Sequence, residues 1–255
     1  MSAVGQLLLR WVSILGVLVL WQVFADAHIV SSFLLPAFST VAVRLYHDVV
    51  SGDMIAGVAL TLYRAFSGFA LSAVAGIAIG VMIARVPLAR WFFDPLISIG
   101  LPMPKIAFLP VFILWFGVFD ASKILMVAFS AVFPVVVSSW AAAEGVEQVL
   151  LWSALSLGAS RSRLLWEIAL PSSLPQIFTG LQVAMPIALI VEIVCEMAMG
   201  GEGLGGSIMT DMRFADSPGV FSGILAIAIV GAALVRAMEL IRRRLLVWHP
   251  EALVA

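Results

Sequence analysis

The amino-acid sequence predicts an all-α, polytopic membrane protein with about six transmembrane helices, on three observations. Of 255 residues, 63% are hydrophobic and only 11% charged, which is more apolar surface than one soluble core of this length buries. The apolar residues fall into stretches long enough to cross a bilayer. The basic residues gather at one set of ends of those stretches.

A helix crossing roughly 30 Å of hydrocarbon needs about 20 mostly apolar residues, each rising about 1.5 Å. Residues 11–25, 65–84, 124–143, 168–191 and 217–235 are five stretches free of charge. A sixth, from about 92 to 119, is interrupted by Asp94, Lys105 and the prolines Pro95, Pro102, Pro104 and Pro110. It predicts a broken or re-entrant span, because backbone groups freed by proline are tolerated at membrane depth only where protein or water satisfies them. The first stretch also fits a cleaved signal peptide loosely, through Arg10 and Ala25-Asp26-Ala27. It is read here as a retained membrane helix.

Six spans place both termini on one side. Arg10, Arg85, Arg90, Arg161, Arg163 and Arg242 to Arg244 fall on that side, against Arg44, Lys123 and Arg213 on the other. Eight against three predicts cytoplasmic termini by the positive-inside rule, and hence a bacterial inner membrane protein with its acidic loops outside. Trp11, Trp91, Trp115, Trp140 and Trp248 lie near span ends, where amphipathic rings sit at the headgroup level.

Several function classes are excluded by what is missing. A net charge of −1 with no basic run longer than Arg242 to Arg244 argues against nucleic acid as a partner. The single cysteine, Cys195, allows neither an intrachain disulfide nor a thiolate metal cluster. His28, His47 and His249 lie outside the spans, and no H-E-x-x-H occurs. Neither lysine, Lys105 nor Lys123, follows a phosphate-cradling glycine loop. The chain is therefore expected to be no enzyme, to hold no cofactor or metal, and to depend on another subunit for any ATP hydrolysis. A lone secondary transporter is the rival class, since broken helices and intramembrane charges suit it, although no inverted repeat is apparent.

The substantial loop on the side of the termini runs from about 144 to 171. Val146, Val149, Leu150 and Ser153-Ala154-Leu155 give a helical rhythm; Gly158 permits a sharp turn, Ser160 can cap a second short helix from Arg161, and Pro171 is expected to end it. Gly158, Arg161, Arg163 and Leu170-Pro171 together resemble the cytoplasmic signature loop of binding-protein-dependent ABC importer permeases. That family opens the motif with Glu-Ala-Ala six residues before the glycine; here the residues are Trp152-Ser153-Ala154, and only the last alanine is kept. TLYRAFSGFALSAVAGIAIGV from Thr61, PMPKIAFLPVFILWFGV from Pro102 and EMAMGGEGLGGSI from Glu196 are similar, in the same order, to the nitrate, sulfonate, taurine and bicarbonate branch.

The resemblance implies the ABC importer permease (MetI-like) fold, with an N-terminal helix and external segment over 1–53 and a core permease domain over 54–250. It implies coupling to an ATPase through Ser153, Ala154, Gly158, Ala159, Ser160, Arg161, Leu170 and Pro171. The expected partners are a second permease subunit in a homodimer, two ATPase subunits carrying ATP and Mg, and a periplasmic substrate-binding protein. The path would carry a small anionic solute by alternating access.

Four charges remain inside or at the rim of the spans. Glu192 and Glu196 are four residues apart and share one helix face. They line the path or a gate, pair with Arg64 or Lys105, or snorkel to the interface. Arg64 and Lys105 in turn either supply positive potential for an anion or neutralise the two glutamates. Gly68, Gly76 and Gly80, at helical spacing, indicate close helix packing, and Gly200 to Gly206 reads as a flexible external loop.

Overall fold

The structure is a computed structural model that describes residues 3–27, 29–146, 148–160 and 163–248. Among the described residues all regular structure is helical. The helices are α1 (Ala3–Asp26), α2 (Phe38–Ser51), α3 (Asp53–Arg85), α4 (Pro87–Gly100), α5 (Leu109–Phe116), α6 (Asp120–Glu144), α7 (Gln148–Ser156), α8 (Leu170–Met199), α9 (Leu204–Arg213) and α10 (Ser217–Leu245). A 3₁₀ turn, Lys105–Phe108, precedes α5, and a π-helical stretch, Leu164–Ala169, precedes α8.

Among the described residues, four helical segments have the length and apolarity of a membrane span: α3, α6, α10 and residues 171–213. The interrupted stretch is broken as expected, for α4 and the Lys105–Phe116 segment meet at 99° and count as one further span. Pro102 and Pro104 stand at that break, where they remove backbone donors. α1 is 24 residues long, Ala3–Asp26, and its portion Val12–Asp26 is apolar. Only 6% of the most apolar window of α10 is buried, against 44% for that of residues 171–213, so this chain leaves most of the apolar surface of α10 uncovered. Trp91, Trp115 and Trp248 are exposed, as interfacial rings are.

The chain packs as two compact units, Met1–Leu60 with Gly200–Ile229, and Thr61–Met199 with Val230–Ala255. In the second unit the core forms where small residues let α3, α6 and α8 approach closely. A Cβ placed on Gly68, Gly76 or Gly80 of α3 would stand 2.5, 2.7 and 2.6 Å from Val127, Val135 and Ser139 of α6. The constant offset shows two parallel helices in close contact. On α8, Gly180 meets Ser138 in the same way, and Ser173 Oγ donates to the Ala142 carbonyl at 3.1 Å, so α8 runs antiparallel to α6. Val127, Ala131, Val135, Ala184 and Ala188 are fully buried between them.

Two expectations are corrected here. Pro171 does not end the second loop helix, because the chain runs from the π-helical Leu164–Ala169 directly into α8. A widened turn accommodates a proline ring that would otherwise strike the carbonyl four residues earlier. The glycine run is not a loop throughout: Gly200, Gly201 and Gly203 have φ of +72°, +94° and +120° and form a tight turn, whereas Gly205 and Gly206 are buried in the first turn of α9.

In the first unit, Trp21 Nε1 donates to the Pro36 carbonyl at 3.0 Å and its ring meets Phe38 and Phe221. Gln22 Oε1 accepts from the Ser39 N–H at 3.0 Å and so caps α2, whose own N-cap, Ala37, has no side chain to do it. Arg44 is an ionic hub with Asp48 at 2.8 Å, Asp211 at 3.6 Å and Asp216. Its hydrogen bond to Asp48 raises the guanidinium above its ordinary range despite the opposing effect of burial.

Candidate functional site

In the second unit, α3, α6 and α8 carry a cluster of charges, buried except for the half-exposed Asp120. α8 places Glu192 and Glu196 on one face, one turn apart, and neither side chain has any exposure. Neither carboxylate snorkels. Arg64 of α3 lies against them with Nη1 3.0 Å from Glu196 Oε1 and 4.0 Å from Glu192 Oε1. Its Nε and Nη2 reach Asp120 Oδ1, at the start of α6, at 2.9 and 2.7 Å. Thr61, one turn before Arg64, donates to Glu196 at 3.0 Å. Glu192 receives no hydrogen bond among the described residues.

The structure separates the two cations that the sequence left equivalent. Arg64 joins the glutamates, and Lys105 does not. Lys105 Nζ donates to the carbonyls of Leu101 and Met103 at 2.8 and 3.4 Å and sits 5.0 Å above the ring of Phe133. The second cation acting on Glu192 is Lys123, which is 3% exposed on α6. Lys123, Asp120 and Thr61 were not among the residues singled out by sequence. The available signals were an acid and a base three apart in the first turn of an apolar stretch, and a threonine one turn before a buried arginine. Formal charges in the cluster are three carboxylates, Asp120, Glu192 and Glu196, against Arg64 and Lys123. Such a cluster holds three helices in one register, since a buried charge without its partner costs several kcal/mol.

The surface turn is the second feature. Gly158 has φ +85°, with open space where a side chain would stand. Its N–H bonds the Leu155 carbonyl at 3.0 Å and the Ala159 N–H bonds the Ala154 carbonyl at 3.0 Å. That pair of bonds is a Schellman closure of α7, which requires a left-handed residue at this position. Ser160 Oγ accepts from the Arg163 N–H at 3.3 Å and caps the next helix. Ala154 is buried while Ser153 is exposed and Ala159 half-buried. Arg161 lies outside the described residues; Leu170 and Pro171 open α8. Trp152, Leu155 and Leu157 are exposed around the turn, Leu157 by 89%.

Residues 76–247 match the family described as binding-protein-dependent transport system inner membrane component. The chain belongs to this family. The permease is 31% identical over 233 residues to a Bacillus subtilis protein named as an aliphatic sulfonates transport permease, SsuC, covering 91% of this chain and 84% of the other. It is 30% identical over 239 residues to the taurine transport system permease protein TauC of Escherichia coli, covering 92% and 87%. Both likenesses agree with the branch that the three sequence blocks resemble. Among solved structures, an amino acid ABC transporter crystallised with histidines superposes with a TM-score of 0.63 at 16% identity, over 78% of this chain and 97% of that one. The MetNI methionine ABC transporter in an inward-facing form superposes with a TM-score of 0.57 at 17% identity, over 72% and 95%. The permease therefore has the MetI-like fold of ABC importers.

Proposed function

We propose that this chain is the translocating subunit of an ATP-driven importer, forming the path for a small anionic solute by alternating access. Two copies related by a two-fold axis surround the path. Each docks one ATPase subunit, which binds ATP and Mg, and a periplasmic binding protein delivers the solute from the side opposite the termini. The termini are cytoplasmic, in a bacterial inner membrane.

One observation carries this reading: the helical run that bears the buried glutamates begins at Leu164, six residues after the exposed Gly158 turn. The helical run from Leu164 to Met199 spans about 50 Å at 1.5 Å per residue. A push at its surface end is transmitted along it to Glu192, Glu196 and Arg64. Trp152, Leu155 and Leu157, left exposed beside the turn, are the apolar surface a partner subunit would cover. ATP binding draws the two turns together and opens the outer side; hydrolysis reverses the movement.

The test is Gly158→Val. A β-branched residue at φ +85° costs about 1–3 kcal/mol of strain, enough to displace the turn while the packed spans still insert. The variant is expected to reach the membrane normally yet lose ATPase association or solute-stimulated hydrolysis. Co-purification with a full complement of ATPase and normal hydrolysis would discard the coupling role of this turn.

A further inference from the structure

The groove between α4 and α6 changes character along its length. Where the start of α4 meets the end of α6, Arg90 Nη1 donates to Glu144 Oε1 at 2.8 Å, and the guanidinium lies 5.1 Å from the Trp140 ring. This ion pair is open to a ligand, its side chains being 54% and 42% exposed. Trp140 Nε1 is buried with no hydrogen-bond partner among the described residues, although a buried indole N–H usually finds an acceptor. About one turn further along each helix, at Phe93 and Val136, the groove widens into a cavity of about 380 Å³ whose wall carries no polar side chain. Phe93, Val132 and Trp140 pack against one cluster of Ile83, Ile97 and Val136, so the ion pair and the cavity are consecutive parts of the same groove. Leu96 and Ile99, both exposed, edge the mouth of the cavity. Trp91, beside Arg90 and also exposed, marks the headgroup level.

We propose that this groove binds one phosphatidylethanolamine molecule of the bilayer, with its phosphate on Arg90, its ammonium on Glu144 and an acyl chain in the cavity. Opposite charges side by side at the headgroup level match a headgroup that carries its own phosphate and primary ammonium. Arg90 has donors to spare beyond the one given to Glu144, and an ammonium brings three more. An anionic headgroup would meet Glu144 with no cation of its own, and a choline has no N–H to donate. One helical turn, about 5 Å, separates the ion pair from the cavity, a distance that a glycerol backbone bridges. An ester oxygen on that bridge is the acceptor that Trp140 Nε1 lacks. The chain below it fills a void whose walls otherwise forfeit dispersion contacts on one side. A lipid held there ties α4 to the end of α6, from which the chain leads to α7 and the Gly158 turn.

The purified full-length chain in detergent is titrated with phosphatidylethanolamine, phosphatidylglycerol and phosphatidylcholine of equal chain length, and bound lipid is counted by native mass spectrometry. One phosphatidylethanolamine is expected to bind about three- to fivefold more tightly than either of the others, the range of a partly exposed charge contact. Glu144→Gln is expected to abolish that preference, and Arg90→Gln to weaken all three lipids about three- to fivefold. Leu96→Trp, which puts a larger side chain at the mouth of the cavity, is expected to weaken all three about tenfold while keeping the preference, as the loss of roughly two buried methylenes would. Equal binding of the three lipids, untouched by these substitutions, is a general lipid shell and overturns the proposal. Tighter binding of phosphatidylglycerol than of phosphatidylethanolamine overturns it by making Arg90 the sole headgroup contact. A dimer that holds no lipid and is cross-linked through Leu96→Cys assigns the groove to a second copy, which overturns it too. Neither ATPase nor transported solute enters the measurement, so failure of the importer reading and failure of this site are separately visible.

Discussion

Arg64 Nη1 lies 3.0 Å from Glu196 Oε1, and the same guanidinium holds Asp120, so one side chain of α3 ties both α6 and α8. Arg64→Met leaves Glu196 and Glu192 buried without that cation. Removing one partner of a buried ionic pair costs about 3–5 kcal/mol. Thermal unfolding of the purified chain in detergent is expected to show a loss of this size; a variant within about 1 kcal/mol of the parent would exclude the three-helix clamp.

The two glutamates are expected to respond differently to the same change. Glu196 accepts from Thr61 and Arg64, whereas Glu192 has no donor among the described residues. Glu196→Gln weakens the charge-assisted bond and should cost about 1–3 kcal/mol and lower uptake while the complex still assembles. Glu192→Gln replaces a buried carboxyl group that has no hydrogen-bond partner among the described residues and is expected to be neutral or stabilising. Equal losses in parallel melts would show that the pair acts as one unit.

Helix contact at the small residues sets a third expectation. At Gly76 a methyl group would stand 2.7 Å from Val135 Cβ, whereas at Gly16 of α1 nothing lies within 4 Å. Gly76→Ala is expected to destabilise by about 1–3 kcal/mol through overpacking, and Gly16→Ala to leave stability unchanged or raise it by up to about 1 kcal/mol. The comparison is a pair of thermal melts, and equal behaviour would remove the close contact of α3 with α6.

The turn at Gly158 has its own control. Asparagine tolerates the left-handed region far better than valine, and open space surrounds the position. Gly158→Asn is therefore expected to retain most ATPase association, measured by co-purification, where Gly158→Val loses it. If both lose it, the requirement is for a bare surface rather than for the backbone angle.

In the first unit, Arg44→Met leaves Asp48, Asp211 and Asp216 facing one another. These groups are 22%, 23% and 30% exposed, so solvent screens them and the loss is expected to be about 1 kcal/mol, smaller at high salt. Hydrogen exchange over Phe38–Ser51 is expected to quicken at low salt. Unchanged protection would show that Trp21 and Gln22 suffice to hold α2.

How much of this was legible in advance differs residue by residue. Gly158 was legible because a left-handed turn has few chemical solutions, and the glycines on α3 because their spacing matches a helical face. Glu192 and Glu196 were visible as charges on one face, but their partner was not: Arg64 and Lys105 are alike in a list of cations, and only packing brings one to them. Lys123 was counted among the basic residues on the side opposite the termini, just before the stretch that begins at residue 124; the structure buries it. Pro171 misled because proline ends a helix unless a widened turn makes room for its ring.

By itself the sequence determined the solvent, the approximate spans, the broken helix and the family. These depend on composition, on periods of three to four residues and on local backbone chemistry, all written along the chain. Tertiary structure alone decided which charges meet. Contacts between residues more than a hundred positions apart, such as Thr61 and Glu196, depend on the parallel and antiparallel registers of α3, α6 and α8, and each register is set jointly by small residues on two helices. The same packing put Lys105 over the ring of Phe133 rather than against the glutamates, a choice that no local pattern encodes.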